Sequence, residues 1–373
     1  MDMIIYGAQG YALGAYKAIK VLYPERRVLF FAVTEMGNNP SHLAGLKVKG
    51  IGSVSEYFST EEKKNIEILI ATPENVQGDI EKTLDEQGFS NHIGLTSRLW
   101  DEFMTKMNSL TGDFPPLADS ADGTVEATTG IVSSVRIYMA KSHKDKALNK
   151  PFDLPGYMTP IQVGAANTDD AIVEVRDNTG ENISSKNGNY CELTGLYWVW
   201  KNLLKKRSAS EGGCDDGTEE YYGFTQYRRI LMLSDEHLSQ LAEKDIDVVL
   251  PYPLYYEPDI NAHHERYLKD SDWEALLKAL SELQPEYADA FSQILAGDCM
   301  YNYNVILAKK DVLCEYCEWL FPILERTEEL SDPKGCDRSD RYIGYMGETL
   351  ETLYFMKNRD RLKIAHTGCR LLV

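Results

Sequence analysis

A few short segments carry the residue types that could do chemistry. Arg228-Arg229 offers guanidinium forks, which match phosphate oxygens bidentately and keep their charge at neutral pH. Strand alternation points the two to opposite faces, so one of them is expected to reach a common ligand. Ion pairing with the chain's own carboxylates is the competing use. Asp177-Asn178-Thr179-Gly180-Glu181-Asn182 gathers short carboxylates and amides that suit the hydroxyls of a sugar or ribose. The same residues equally build a capped turn. Glu192 and Thr194 open an apolar helix, where a buried carboxylate needs a partner. Asp298, Tyr301, Asn302 and Asn304 stand at the entrance to an apolar strand, a place suited to holding a polar ligand.

At the N-terminus, Gly7-Ala8-Gln9-Gly10 follows a strand and opens a helix, with Glu35 just past the second strand. Glycines there make a tight turn, helix N–H groups face a phosphate, and the acidic residue could bond ribose hydroxyls. The motif departs from G-x-G-x-x-G, and any parallel α/β region needs such a turn whether or not it binds a ligand. Adjacent His263-His264 lacks the spaced partners of a metal site, leaving a binding-loop role for His263. Cys314 and Cys317 have C-x-x-C spacing inside an amphipathic helix, which reads as core packing.

These residues need elements to hold them. In the first hundred residues, strands at Met3–Tyr6, Arg27–Val33, Glu67–Ala71 and His92–Leu95 alternate with helices at Tyr11–Leu22 and Val76–Gln87. That alternation implies parallel pairing. Residues 106–130 are turn-rich and acidic, the composition of a linker. The expected organisation is therefore a Rossmann-like domain over 1–105, a linker over 106–130 and a second α/β domain over 131–373. The second opens with a strand at Val135–Met139 and continues with a helix at Tyr190–Leu204, whose Trp198 and Trp200 cannot both face one way. Core packing is the commoner use of such tryptophans.

Composition narrows the functions. The net charge is −19, from 39 Lys+Arg against 58 Asp+Glu, which argues against nucleic acid as a partner. No apolar run approaches the roughly 20 residues that span a bilayer. The first residues carry no basic stretch of a signal peptide, and seven scattered cysteines do not read as a disulfide framework. A cytoplasmic protein is expected, with peripheral membrane association through a local patch and self-association both left open.

Between Val135 and Phe355 the motifs follow a distinctive order. Ile137–Ala140 leads to His143-Lys144, then Pro160–Ala165, Asp177–Ser184, Tyr190–Asn202, Tyr222–Arg229, Tyr301–Asn304, Glu315–Phe321 and Arg341–Leu350. This succession resembles a bacterial family of capsular and exopolysaccharide biosynthesis proteins regarded as glycosyltransferases. Ile4–Ala8 and Ile68–Glu74 resemble the small Rossmann-like N-terminal domains of bacterial sugar-modifying enzymes.

The resemblance implies a nucleotide-sugar-binding fold of the GT-A type and transfer of a hexose, galactose among the candidates, to a glycan or lipid-linked acceptor. It places His143, Asp177, Asn182, Glu192, Thr194, Gln226, Tyr227, Arg228 and Arg229 around the donor, and His263, Tyr301, Asn302 and Asn304 around the sugar or acceptor. Arg341–Glu348 is similar to the glycine-acid segment that carries the base in inverting transferases. Glu348 is thus the first candidate base and Asp298 the second, with the helix dipole a structural reason for an acid at Glu348. The family usually has His where this chain has Gln226. If that His were a metal ligand or proton carrier, Gln could not replace it, and a non-catalytic sugar-nucleotide-binding or regulatory protein is the alternative. The strand ending at Thr225–Arg229 has no Asp-x-Asp pair, and Asp215-Asp216 reads as solvated. A divalent cation, Mn²⁺ or Mg²⁺, is therefore doubtful, with the arginines as its replacement.

Overall fold

The computed structural model describes residues 2–118, 134–149, 151–205, 220–265, 267–332, 334–335 and 340–373. It is an α/β molecule built on two main sheets. In the N-terminal region the strands are β1 (Asp2–Tyr6), β2 (Arg27–Val33), β3 (His42–Leu43), β4 (Leu46–Gly50), β5 (Glu67–Ile70) and β6 (His92–Gly94). The helices are α1 (Gly10–Leu22), α2 (Ile51–Ser55), α3 (Thr60–Asn65), α4 (Glu74–Glu86) and α5 (Ser97–Thr111). The sheet order is β3-β4-β2-β1-β5-β6, parallel except for the β3–β4 pair. The chain leaves β1 on one side and returns on the other, so the glycine turn after β1 lies at the switch point where such sheets open a crevice.

The second sheet starts with β7 (Ser134–Lys141), β8 (Met158–Gln162) and β9 (Val175–Arg176). Helices α6 (Asn187–Tyr190) and α7 (Leu193–Val199) lead through one π-helical turn, Trp200–Leu204, to β10 (Glu220–Gln226) and β11 (Arg229–Leu231). After α8 (Asp235–Glu243) come β12 (Val248–Pro251), β13 (Leu254–Tyr255), α9 (Ile260–His264), α10 (Asp270–Leu283) and α11 (Pro285–Leu295). The chain ends with β14 (Cys299–Met300), β15 (Ile306–Lys309), α12 (Lys310–Leu330), α13 (Tyr342–Lys357), β16 (Ile364–Thr367) and β17 (Cys369–Leu371). The order is β16-β12-β15-β10-β7-β8-β9, with β11 joining β10 to β17. Strands β7, β8, β9 and β10 run parallel, whereas β15 is antiparallel to both neighbours.

Several local details follow from the sequence. Trp200 stacks on Phe321 at 5.4 Å and 9° in the core, while Trp198 lies nearer the surface and donates its indole N–H to the Thr179 carbonyl at 2.9 Å. Cys317 is buried on α12, as core packing requires. Helix α5 runs through Thr111, six residues into the stretch whose composition suggests a linker, and a glycine in the left-handed conformation, Gly112, caps it. Pro115 and Leu117 then bond the backbone of His366 in β16. Turn-forming composition at 112–116 thus coexists with strand-like pairing, because β16 offers a free edge. Residues 119–130 of the expected linker, and Asp215-Asp216, lie outside the described residues.

The two sheet regions share one continuous apolar core. It includes Ala12, Leu13 and Trp100 from the first region and Leu254, Tyr255 and Tyr301 from the second. Helix α1 lies against β13 so closely that a Cβ on Gly10 would stand 3.1 Å from the Tyr255 carbonyl oxygen. One on Gly14 would stand 2.4 Å from the Trp100 ring. Polar contacts cross the same joint: Lys17 pairs with Asp298 at 2.5 Å, and Thr105 meets the Tyr252 hydroxyl at 3.0 Å.

Candidate active site

Three glutamates converge beside the C-terminal end of β10. Glu192 immediately precedes α7, and Glu348 and Glu351 lie three residues apart on α13, a spacing that places them on one helix face. Gln226, the last residue of β10, donates its side-chain N–H to Glu192 at 2.9 Å and to the Tyr303 carbonyl at 2.8 Å. Asn304 donates to the same Glu192 oxygen at 2.9 Å. Asn302 donates to Glu348 at 3.3 Å and accepts from the Tyr256 hydroxyl at 3.2 Å. The carboxylates are thus held by amides from a strand end and from the segment before β15.

That segment is strained. Tyr303 and Asn304 have φ of +79° and +50°. Asn visits the left-handed region with little penalty, but Tyr does so rarely, and such residues cost of order 1–3 kcal/mol each. The conformation turns the Tyr303 N–H toward Glu348 while its carbonyl takes the Gln226 amide. Unused hydrogen-bonding capacity remains: Asn304 Oδ1 and Glu351 Oε2 are buried without a partner, on residues 2% and 1% exposed.

The electrostatics separate these acids. Burial, and then the charge of Glu192, push the Glu348 carboxyl up to about 8, against the opposing bonds from Asn302 and Tyr303 and the positive charge of Arg341. Glu351 is also raised well above its ordinary value, first by burial and then by Glu348 and Glu192. Arg341 donates to the Cys191 sulfur at 2.9 Å. Burial and Glu192 push that thiol up to about 12, so it stays protonated. Among the described residues no group of three His, Cys, Asp or Glu side chains is arranged to hold a metal ion.

Next to the acids, the ends of the parallel strands β7 and β10 form a second cluster. Arg228 donates to the carbonyls of Lys146 and Ala147 at 3.2 and 3.1 Å, and its guanidinium lies 5.1 Å from the Tyr227 ring centre. Its Nε and the His143 Nδ1 are buried without partners. Both residues also lie near Asp145, whose carboxyl burial raises and whose backbone and cationic neighbours lower.

The remaining candidates have other surroundings. The expected single strand through both arginines is broken by a two-residue turn, Tyr227-Arg228, that joins β10 to β11. Arg228 sits in that turn, and Arg229 opens β11 and donates to the Tyr11 hydroxyl at 2.9 Å. Asp177 is fully buried and accepts from the backbone N–H of Gly164 and Ala165 and from the hydroxyls of Ser184 and Thr194. Asn182 bonds within its own turn, donating to Gly180 and accepting from Ser184. Tyr301 is buried against His366 at 2.9 Å. Asp298 sits at the joint in its ion pair with Lys17 rather than among the glutamates.

At the glycine turn, Gly7 has φ of +128°, and a Cβ there would lie 2.6 Å from the Ala71 carbonyl oxygen, so the fold itself demands glycine. Gly10 lines a shallow cleft between the sheet regions, faced by Tyr256, Glu257 and His263. The His263 ring packs 3.9 Å from that of Tyr256. Glu35 is exposed beyond β2 and does not line this cleft.

Sequence reasoning left out Arg341, Glu351, Tyr256 and Tyr303. Arg341 and Glu351 flank Glu348 at helical spacings of seven and three, a readable signal. Nothing local marks Tyr256 or Tyr303, which enter the site only through tertiary packing.

Residues 136–359 match the model of a family described as a domain of unknown function, DUF4422. No curated protein matches the chain. Among solved structures it is similar to the apo structure of the bifunctional glycosyltransferase WbbM, at 29% identity and a TM-score of 0.51. The likeness covers 64% of this chain and 45% of that one, so the chain spans less than half of that relative. No helix among the described residues is long and apolar enough to cross a membrane.

Proposed function

We propose that this chain, which belongs to the DUF4422 family by its match over residues 136–359 of 373, is a glycosyltransferase. It moves a hexose, with a galactose form among the candidates, from a nucleotide diphosphate sugar to a glycan or lipid-linked acceptor. Capsular or exopolysaccharide assembly in the cytoplasm, at the inner face of the membrane, is the setting this reading implies. The likeness to WbbM supports the reaction class. The observation that carries the reading is Glu348, a carboxyl held by Asn302 and the Tyr303 N–H and raised to about 8.

A carboxyl of that proton affinity is matched to general base work near neutral pH. In a single-displacement, inverting reaction, Glu348 takes the acceptor hydroxyl's proton as that oxygen bonds the anomeric carbon. The bond from that carbon to the diphosphate breaks, and the nucleoside diphosphate leaves with the electron pair. Tyr227, Arg228 and His143, at the ends of β7 and β10, lie on the donor side, where the Arg228 fork meets phosphate oxygens. Glu192, Gln226, Asn302 and Asn304 hold the base and line the sugar. Asp177, Asn182 and Thr194 shape the adjoining loop, and His263 faces the cleft at Gly10. At the cleft by Gly7 and Gly10 a nucleotide-bearing ligand is the expected occupant.

The test is transfer by the full chain, with nucleotide sugars screened by thermal shift and hits assayed for turnover with and without Mn²⁺. Ligand binding to the native state raises the melting temperature. A donor that stabilises the protein and is turned over supports the reading. Binding without transfer or donor hydrolysis would leave a sugar-nucleotide-binding protein instead.

A further inference from the structure

We propose that Tyr11, on the helix that opens at the N-terminal glycine turn, is a positioning residue for Glu348, acting through Arg229 and Tyr303. The inference rests on the reading of Glu348 as the base and adds a role for the N-terminal region in the site.

The connection can be followed bond by bond. Arg229 donates to the Tyr11 hydroxyl at 2.9 Å and lies over the Tyr303 ring at 4.3 Å from its centre. The Tyr11 hydroxyl also faces that of Tyr303. Tyr11 is fixed by an edge-on contact with Trp100 of α5, at 5.1 Å between ring centres. The ring of Tyr303 is thereby clamped between a cation and a hydroxyl supplied from the other sheet region. Its backbone is the strained segment whose N–H reaches Glu348 and whose carbonyl takes Gln226.

A residue at φ +79° persists only if its surroundings over-determine it. The clamp on the ring is the part of those surroundings that the second sheet does not supply alone. Releasing it lets the backbone relax and withdraws the N–H from Glu348. Other groups facing Glu348 stay in place: the charged or ionisable acids and base Glu192, Glu351 and Arg341, and the neutral Tyr256, Cys191 and Tyr345. A hydrogen bond to a carboxylate favours its charged form, so losing one raises its proton affinity.

The experiment compares the full-length protein with Y11F and Y303F by a titration of side-chain carboxyls labelled with ¹³C at the glutamate δ position. The Glu348 resonance is identified by its absence in E348Q. Both variants keep the ring and lose one hydroxyl of the clamp, so if either fails to fold the other still decides. The Glu348 midpoint is expected to move up by about half a unit to one unit in each. Where transfer is measurable, the rising limb of kcat against pH moves with it while the donor KM holds. An unchanged Glu348 midpoint in the folded variants overturns the proposal. Full activity of E348Q would remove the base assignment, and the titration alone would then judge the coupling.

Discussion

Glu348 keeps its proton to about pH 8 because it is buried and because Glu192, carried at the start of a different helix, faces it. The amides around the two acids are divided between them. Glu192 takes the N–H groups of Gln226 and Asn304, while Glu348 receives Asn302 and the Tyr303 backbone.

Replacing Glu348 by Gln keeps the shape and removes the base. Transfer is expected to fall by roughly 10²- to 10⁴-fold, the usual share of general base catalysis, with donor affinity nearly intact. Turnover and calorimetric donor binding check this. Lost affinity with retained turnover at saturation would contradict the role.

The raised Glu348 carboxyl also predicts how stability follows pH. Between its ordinary value of 4.5 and about 8, the folded chain holds a proton that the unfolded chain has released. Stability contributed by this group therefore falls as pH rises through that window. Glu351, raised in the same direction, adds to the fall. Melting temperatures measured from pH 5 to 8.5 should decline less steeply in E348Q than in the unsubstituted chain. Parallel curves would rule the contribution out.

The two adjacent arginines should behave differently. Arg228→Ala removes the fork beside His143 and is expected to weaken donor binding by roughly tenfold or more, since hydrogen bonds to charged groups are worth about 1.5–3 kcal/mol. Arg229→Ala acts on the joint with Tyr11, lowering the melting temperature while donor affinity changes less. Equal losses of donor affinity in the two variants would reject the division.

Gln226→Leu would strip one donor from both the Glu192 carboxylate and the Tyr303 carbonyl. Leaving a buried acceptor unsatisfied costs about 1–3 kcal/mol, so chemical denaturation should register a loss of that size. A neutral result would mean that water or Asn304 takes over both bonds.

Gly14→Leu tests the joint itself. A Cβ there already meets Trp100 at 2.4 Å and Tyr255 at 3.1 Å, so the helix must move or the rings must yield. Overpacking of this kind costs typically about 1–3 kcal/mol. The readout is the denaturation midpoint, and an unshifted midpoint would show the joint to be adaptable.

Much of the architecture was legible because it is locally encoded. Period-2 and period-3.6 patterns marked β1, β2, β5 and α1, and glycine chemistry marked the turn after β1, whose Gly7 does adopt a positive φ. The helical period of α13 sets Glu348 and Glu351 on one face, whereas strand alternation misdescribes the arginines, because a two-residue turn puts Arg228 between β10 and β11. What the sequence could not assign was the partner of each polar side chain. Asp298 and Asp177 look as available as Glu192 in one dimension. Yet Asp298 is taken by Lys17, and Asp177 is saturated by four donors. Asn304 meets Glu192 across 112 positions of chain, and Tyr11 meets Arg229 across 218. Periodicity decides which face a side chain occupies. Which faces come together is decided by burying apolar surface between α1, α5, β13 and α13, and every long-range polar contact in the site is a consequence of that packing.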